Sequence, residues 1–264
     1  MHQILPQIYG KVLSSSFLNL DVTETKATCQ DCLRAKDRRF SFLYQSDLKC
    51  CTFHPFLPNY AAGALLSPTL SKSLGVDVLK NKIEQRQFAF PLGVMAPYDY
   101  QFKFFSKEEE EFGNNATLLC PYFDKQQNQC SIWEYRGVVC TTFYCRSDYG
   151  QNGQKFWAVL SDFLSYTEMA LAEECLVQLD FSPRQISDQL MYLNKHDFTS
   201  EETTQVILDK KTDRALWNLY EDKFDFYQKC TNIVRNLSRK QFLEIIGEQG
   251  AELEEEVLDY ANRR

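Results

Sequence analysis

Apolar positions fall into two regimes along this chain, and the change comes near residue 150. From Gln154 onward they recur at three- and four-residue intervals, so that Phe156, Leu160, Phe163, Leu164, Thr167 and Leu171 line one face of a helix predicted to run to about Leu179. Ser182-Pro183 reads as the start of a second helix carrying Ile186, Leu190 and Leu193. Thr199 with Glu202, and Ser238 with Gln241, have the spacing of capping boxes for two more. Between them Leu216, Tyr220, Phe224 and Tyr227 predict a further helix.

The first 150 residues are less regular. Ile4, Ile8, Val12, Phe17 and Leu18 show no strong period and are expected to cover part of the core. Phe40, Phe42 and Tyr44 alternate as in a short strand, and Tyr98, Tyr100, Phe102 and Phe104 alternate with Asp99, Gln101 and Lys103, which predicts another. Asn59 is a candidate cap for a helix over Tyr60–Leu66, and 71–84 has the stripe Leu74, Val78, Leu79, Ile83 of an amphipathic helix. Glu108–Glu111 with Gly113-Asn114-Asn115 reads as a solvated face and turn. Leu118–Phe123 and Cys130–Trp133 read as two arms of a hairpin around the polar turn Lys125–Gln129, and Glu134–Cys145 as a helical turn or short helix. The fold class expected is α+β: an irregular cysteine-rich region over 1–153 with a few short strands, followed by a helical region over 154–264. No repeat period is visible.

Composition sharpens this. With 44% apolar and 14% aromatic residues in 264, the chain can build a large core. The net charge of −7 is uneven: residues 1–150 carry 16 Lys+Arg against 15 Asp+Glu, and 151–264 carry 13 against 21. An acidic helical half repels phosphate backbones and anionic lipid, so nucleic acid and membranes are not expected partners. No stretch approaches the roughly 20 apolar residues of a membrane helix, and the first twenty residues lack a basic start followed by an apolar block. Cytoplasmic residence is expected. In a reducing compartment the ten cysteines would stay thiols, which favours metal or catalytic use over disulfides.

Eight of those cysteines form two groups. Cys120, Cys130, Cys140 and Cys145 recur with nine, nine and four residues between them, and Cys29, Cys32, Cys50 and Cys51 precede them. Thiolates select zinc, iron and iron–sulfur clusters, so these eight are the candidate metal ligands. Adjacent side chains in a strand point to opposite faces, so Cys50 and Cys51 reach one metal only if the backbone turns there; otherwise they serve different metals. Neither group is a self-contained finger, and the two are expected to meet in space although 68 residues separate Cys51 from Cys120. Cys175 and Cys230, on helical segments, read as buried apolar residues. His54, three residues past Cys51, reads foremost as a buried, hydrogen-bonded histidine, with a ligand or proton-carrier role as the lesser alternative. Arg136 and Arg146 are placed to donate to thiolates or to pair with Glu134, and Phe53, Phe56, Tyr122, Phe123, Trp133, Tyr135, Phe143 and Tyr144 to keep water from the sulfurs. Common hydrolase, nucleotide-binding and radical-chemistry motifs are absent.

The stretch Cys120-Pro-Tyr-Phe, Cys130-Ser-Ile-Trp-Glu-Tyr-Arg, Cys140 and Phe143-Tyr-Cys145 resembles the YkgJ-type cysteine-cluster family, proteins with a zinc- or iron-chelating domain. The resemblance spans about residues 29–145. It departs where seventeen residues separate Cys32 from Cys50 and where Gly137 stands in place of the family's usual proline. It implies a cytoplasmic metal-binding fold. The leading functional expectation is therefore a protein that holds iron, as an iron–sulfur or thiolate-iron centre, or zinc, with a protein partner allowed for. A redox or protein-modifying enzyme that uses the same centre is the alternative.

Overall fold

A computed structural model describes residues 1, 4–25, 45, 47–67, 73–108, 111–193, 195–218 and 220–264. The chain is mostly helical with a few short strands. Helix α1 (Ser15–Leu18) is followed by strand β1 (Leu57–Pro58), α2 (Asn59–Leu65) and α3 (Leu74–Glu84). Strands β2 (Ala89–Phe90) and β3 (Gly93–Val94) complete a small antiparallel sheet in the order β1-β3-β2, with Leu57 and Ala89 both paired to Val94. Helix α4 (Tyr98–Phe105) leads to the hairpin β4 (Phe123–Asp124) and β5 (Gln129–Cys130), and α5 (Val138–Thr142) follows it. The helical part comprises α6 (Gly150–Gln178), α7 (Pro183–Leu190), α8 (Lys210–Trp217), α9 (Lys223–Asn236) and α10 (Arg239–Ala261).

Caps explain many of these boundaries. Ser182 accepts from Gln185 N–H while the Gln185 side chain accepts from Ser182 N–H, with Pro183 at the first helical position; Ser238 and Gln241 repeat the reciprocal pair at the start of α10. Helix α10 breaks at Gly247, whose φ of +62° suits glycine, and the Tyr166 hydroxyl donates to the Ile246 carbonyl beside the break at 3.0 Å.

Several elements differ from expectation. Residues 98–104 are helical, not extended: Pro97 caps the segment, and a spacing of two, doubled, is the spacing of four that stacks Tyr100 on Phe104 along a helix. The helix expected through Leu216 and Tyr227 is two helices separated at Asn218, whose φ is +53°. Thr199 and Glu202 do pair reciprocally, yet they open only the 3-10 turn Glu202–Thr204. Asn59 does not cap α2; it is the first helical residue, and its buried amide donates to Pro91 and Ala172 carbonyls at 3.0 Å each, binding α2 to the β2–β3 turn and to α6. Leu118 lies in a 3-10 turn, so the hairpin is shorter than its predicted arms. The strand expected at Phe40–Tyr44 lies outside the described residues.

One apolar core runs through residues on both sides of position 153, from Val12 and Phe17 through Tyr60 and Leu79 to Leu160, Tyr227 and Val257. Helices α2 and α9 cross so closely that a β-carbon on Gly63 would lie 1.9 Å from the Tyr227 carbonyl oxygen. Thr231 on α9 donates to Tyr60 O at 2.7 Å across the same contact.

Candidate metal centre

Three separate stretches of chain bring cysteines to one side of this core. Cys50 and Cys51 close a turn in which Lys49 has φ +54° and Cys51 N–H donates to Leu48 O, so of the two alternatives for this adjacent pair the backbone takes the bend. The buried Lys49 side chain donates to Asn128 O at 2.6 Å, which ties this turn to the β4–β5 hairpin. Cys120 N–H donates to Cys51 O at 2.7 Å, a direct link between the two sequence groups. On the hairpin, Phe123 and Cys130 are register partners. Helix α5 supplies Cys140, and Cys145 follows three residues after its end.

The electrostatics report the same convergence. The buried Cys120 thiol is pushed well above its ordinary range by burial, then by Cys140 and Cys130, with Tyr122 N–H and Lys82 opposing. The Cys140 thiol is pushed up to about 12 by burial and then by Cys130; Arg136 opposes, while Cys50 and Glu168 add to the rise. Cys120, Cys130, Cys140 and Cys50 thus feel one another. Burial and these neighbours favour the neutral thiol at Cys120 and at Cys140.

The eight cysteines among the described residues carry no disulfide. Among those residues, no three His, Cys, Asp or Glu side chains are grouped so as to hold a metal ion. Cys29 and Cys32 lie outside the described residues. Thr25, the last described residue before them, donates from N–H and Oγ1 to Asp148 at 2.6 and 3.2 Å, three residues past Cys145. Cys175 and Cys230 sit apart in the core on α6 and α9, where the Cys175 thiol donates to Cys230 O at 3.6 Å.

Around the cysteines the second layer differs in part from expectation. Arg136 stacks on Trp133 with its guanidinium carbon 3.4 Å from the ring centre and donates to Trp133 O, and its charge favours the Cys140 thiolate. Tyr122 and Phe123 are buried, but Trp133 and Phe143 are 46% and 43% exposed and cannot screen the sulfurs from water by themselves. His54 is buried between the edges of Tyr100 and Tyr122, with Nδ1 3.0 Å from Pro55 O. Burial, then the Lys82 charge, holds its pKa well below the ordinary histidine range, and its Nε2 is buried without a partner among the described residues.

Two further ionisable groups lay outside the candidate set. Lys82 on α3 is buried, and burial lowers its pKa to about 8 while Cys120 and Asp99 pull it upward. Glu168 on α6 lies beneath α5: it accepts from Val138 N–H, and burial raises its pKa to about 8. A β-carbon on Gly137 would come within 2.5 Å of Phe56 O and 3.9 Å of Glu168 Oε2, so the cysteine-bearing turn packs closely on this carboxyl group. Both residues occupy apolar stripes, Lys82 between Leu79 and Ile83 and Glu168 between Leu164 and Leu171, and a charge on such a stripe is the signal by which the sequence marks them.

No helix among the described residues is long and apolar enough to cross a membrane. Comparison with protein-family models, with curated proteins and with solved structures finds no match.

Proposed function

We propose that this chain is a cytoplasmic metal-binding protein that holds zinc, or iron as a thiolate or iron–sulfur centre, in the manner of the YkgJ-type family it resembles. The observation that carries this reading is the junction of Cys51 with Cys120, with Cys140 in the field of both Cys130 and Cys50. Cysteines from three stretches of chain come near one another there, beside the apolar core. Their chemistry fits a soft or borderline cation, which would take the place of the protons that burial favours on Cys120 and Cys140. In this reading Cys50, Cys51, Cys120, Cys130, Cys140 and Cys145 supply donors, and Cys29 and Cys32, outside the described residues, belong to the same expected set. Arg136 and Lys82 add positive charge beside Cys140 and Cys120, which offsets part of the negative charge that ligating thiolates carry.

The test is anaerobic purification with elemental analysis and a visible spectrum, on the wild type and on Cys120→Ser with Cys140→Ser. The expected result is about one equivalent or more of zinc or iron per wild-type chain, with strong loss in the double variant. Iron would announce itself by absorption near ~400 nm. A wild-type protein that stays metal-free after reconstitution with zinc and with iron would overturn the reading.

A further inference from the structure

Glu24 is a buried carboxylate engaged on both oxygens. Its side chain has no exposed surface, and four groups donate to it: Ser147 Oγ at 2.7 Å, Trp157 Nε1 at 2.8 Å and Arg264 Nη2 at 2.9 Å to Oε1, and Asp148 N–H at 2.6 Å to Oε2. Ser147 and Asp148 are the second and third residues after Cys145. The next residue after Glu24, Thr25, is held by the Asp148 side chain. One buried carboxylate therefore fixes the chain on the far side of Cys145 and the strand of chain beside it.

That carboxylate is neutralised from a distant part of the sequence. Arg264, three residues past the end of α10, is 5% exposed in its side chain, and its guanidinium carbon lies 4.3, 4.8 and 5.6 Å from the ring centres of Tyr149, Phe156 and Trp157. Planar, weakly hydrated guanidinium suits such a site; it stacks on ring faces while its fork meets a carboxylate. Trp157 is in turn stacked on Tyr144, the residue before Cys145, at 4.0 Å. Gly153 leaves room for the loop, since a β-carbon there would lie 1.8 Å from Ser147 Oγ.

Two of the guanidinium nitrogens, Nε and Nη1, are buried without a partner among the described residues. Ring faces and one carboxylate oxygen hold Arg264, so the occupant is seated but not fully satisfied. A contact of that kind can open. When it does, Glu24 is left as a buried carboxylate without its counter-charge, a state a protein relieves by letting water in and moving the segment. The groups released would be Ser147, Asp148 and, through Asp148, Thr25.

We infer that Tyr149, Phe156, Trp157 and Glu24 form a guanidinium-binding cage, filled by this chain's own Arg264, whose occupancy fixes the Cys145 end of the cysteine cluster and so controls metal retention. The coupling to metal rests on the metal-binding reading above; the cage does not. An arginine side chain of another protein is the class of ligand that would compete for it.

The experiment loads the full chain with zinc and follows zinc loss to a chromogenic chelator in the wild type, Arg264→Ala and Arg264→Lys. Arg264→Ala is expected to lose zinc about 10-fold faster or more, in the range by which groups behind metal ligands act. Millimolar methylguanidinium should restore slow loss in Arg264→Ala, and methylammonium should not. Arg264→Lys should resemble Arg264→Ala, because an ammonium lacks the planar fork. Wild-type and Arg264→Ala proteins that hold zinc equally well would overturn the coupling and leave the metal reading intact. Wild-type retention by Arg264→Lys would overturn the guanidinium cage, since charge alone would then suffice. Should the wild type hold no metal, the coupling falls with the metal reading. The cage is then decided by melting: methylguanidinium must raise the Tm of Arg264→Ala and not of the wild type, and equal responses overturn it. The same comparison on Arg264→Lys, which must melt below the wild type, decides the case in which the alanine variant does not fold.

Discussion

Replacing Glu168 by glutamine isolates the energetics of a buried acid under the cysteine turn. Glu168 is buried on α6, and its pKa is raised from 4.5 to about 8 by burial, against the opposing hydrogen bond from Val138 N–H. Below pH 4.5 the carboxyl group is protonated in both folded and unfolded chains, and its full contribution to stability is present. Between 4.5 and about 8 the unfolded chain ionises while the folded one keeps its proton, so unfolding releases a proton and stability falls as pH rises. The slope is about 1.4 kcal/mol per pH unit and ends near pH 8, for a total of roughly 5 kcal/mol. Glu168→Gln keeps the shape and an oxygen that can accept from Val138 N–H, but it does not titrate. Urea unfolding of reduced, chelator-treated protein at several pH values between 5.5 and 7.5 compares the two. Cys140, pushed up to about 12, stays protonated throughout that window. The wild type should lose about 3 kcal/mol relative to Glu168→Gln over those two units, or about 1 M in urea midpoint. Parallel curves for the two proteins would refute the reasoning and mean that Glu168 is ionised in the folded chain.

Gly63→Ala tests the crossing of α2 and α9. Its new methyl would meet backbone at Tyr227, which no rotamer relieves, so a cost of about 3 kcal/mol and a fall of ~6–12 °C in Tm are expected by calorimetry; a Tm within ~2 °C of wild type would contradict the packing. Cys175→Ala with Cys230→Ala should lower Tm, because both side chains fill the core, while metal content stays unchanged. Proportionate metal loss in that double variant would place these cysteines among the ligands after all.

How much of this was legible depended on whether the decisive interaction is local. Ser182-Pro183 and Ser238 with Gln241 announced helix starts correctly because a cap acts within four residues. The hairpin that carries Cys130 was visible for the same reason, as a polar turn between apolar arms. Tyr98–Phe104 misled because aromatics at alternate positions satisfy a strand and a helix alike, and tertiary burial of Tyr98 and Gln101 chose the helix. Asn218 gave no signal strong enough to split the helix that Leu216 and Tyr227 suggested. At the centre, spacing picked out the cysteines as candidates but left open whether the chain turns at Cys50-Cys51. Glu24 and Arg264 could not be read from spacing, since they meet across 240 positions and neither stands on an apolar stripe.

The long-range ties carry a consequence for synthesis. Val12 O accepts from Arg239, Ser14 N–H donates to Glu254, and Glu24 meets Arg264, so the earliest segments find their partners in α10 and beyond. On the ribosome, Cys50 and Cys51 emerge long before α10 does, and at ordinary elongation rates that interval is roughly 10–40 s. For that time the nascent chain holds its thiols on an unfinished core, where stray oxidation competes with folding. The core therefore closes only when its last helix has been made, and the time it spends unfinished is set by synthesis rather than by folding.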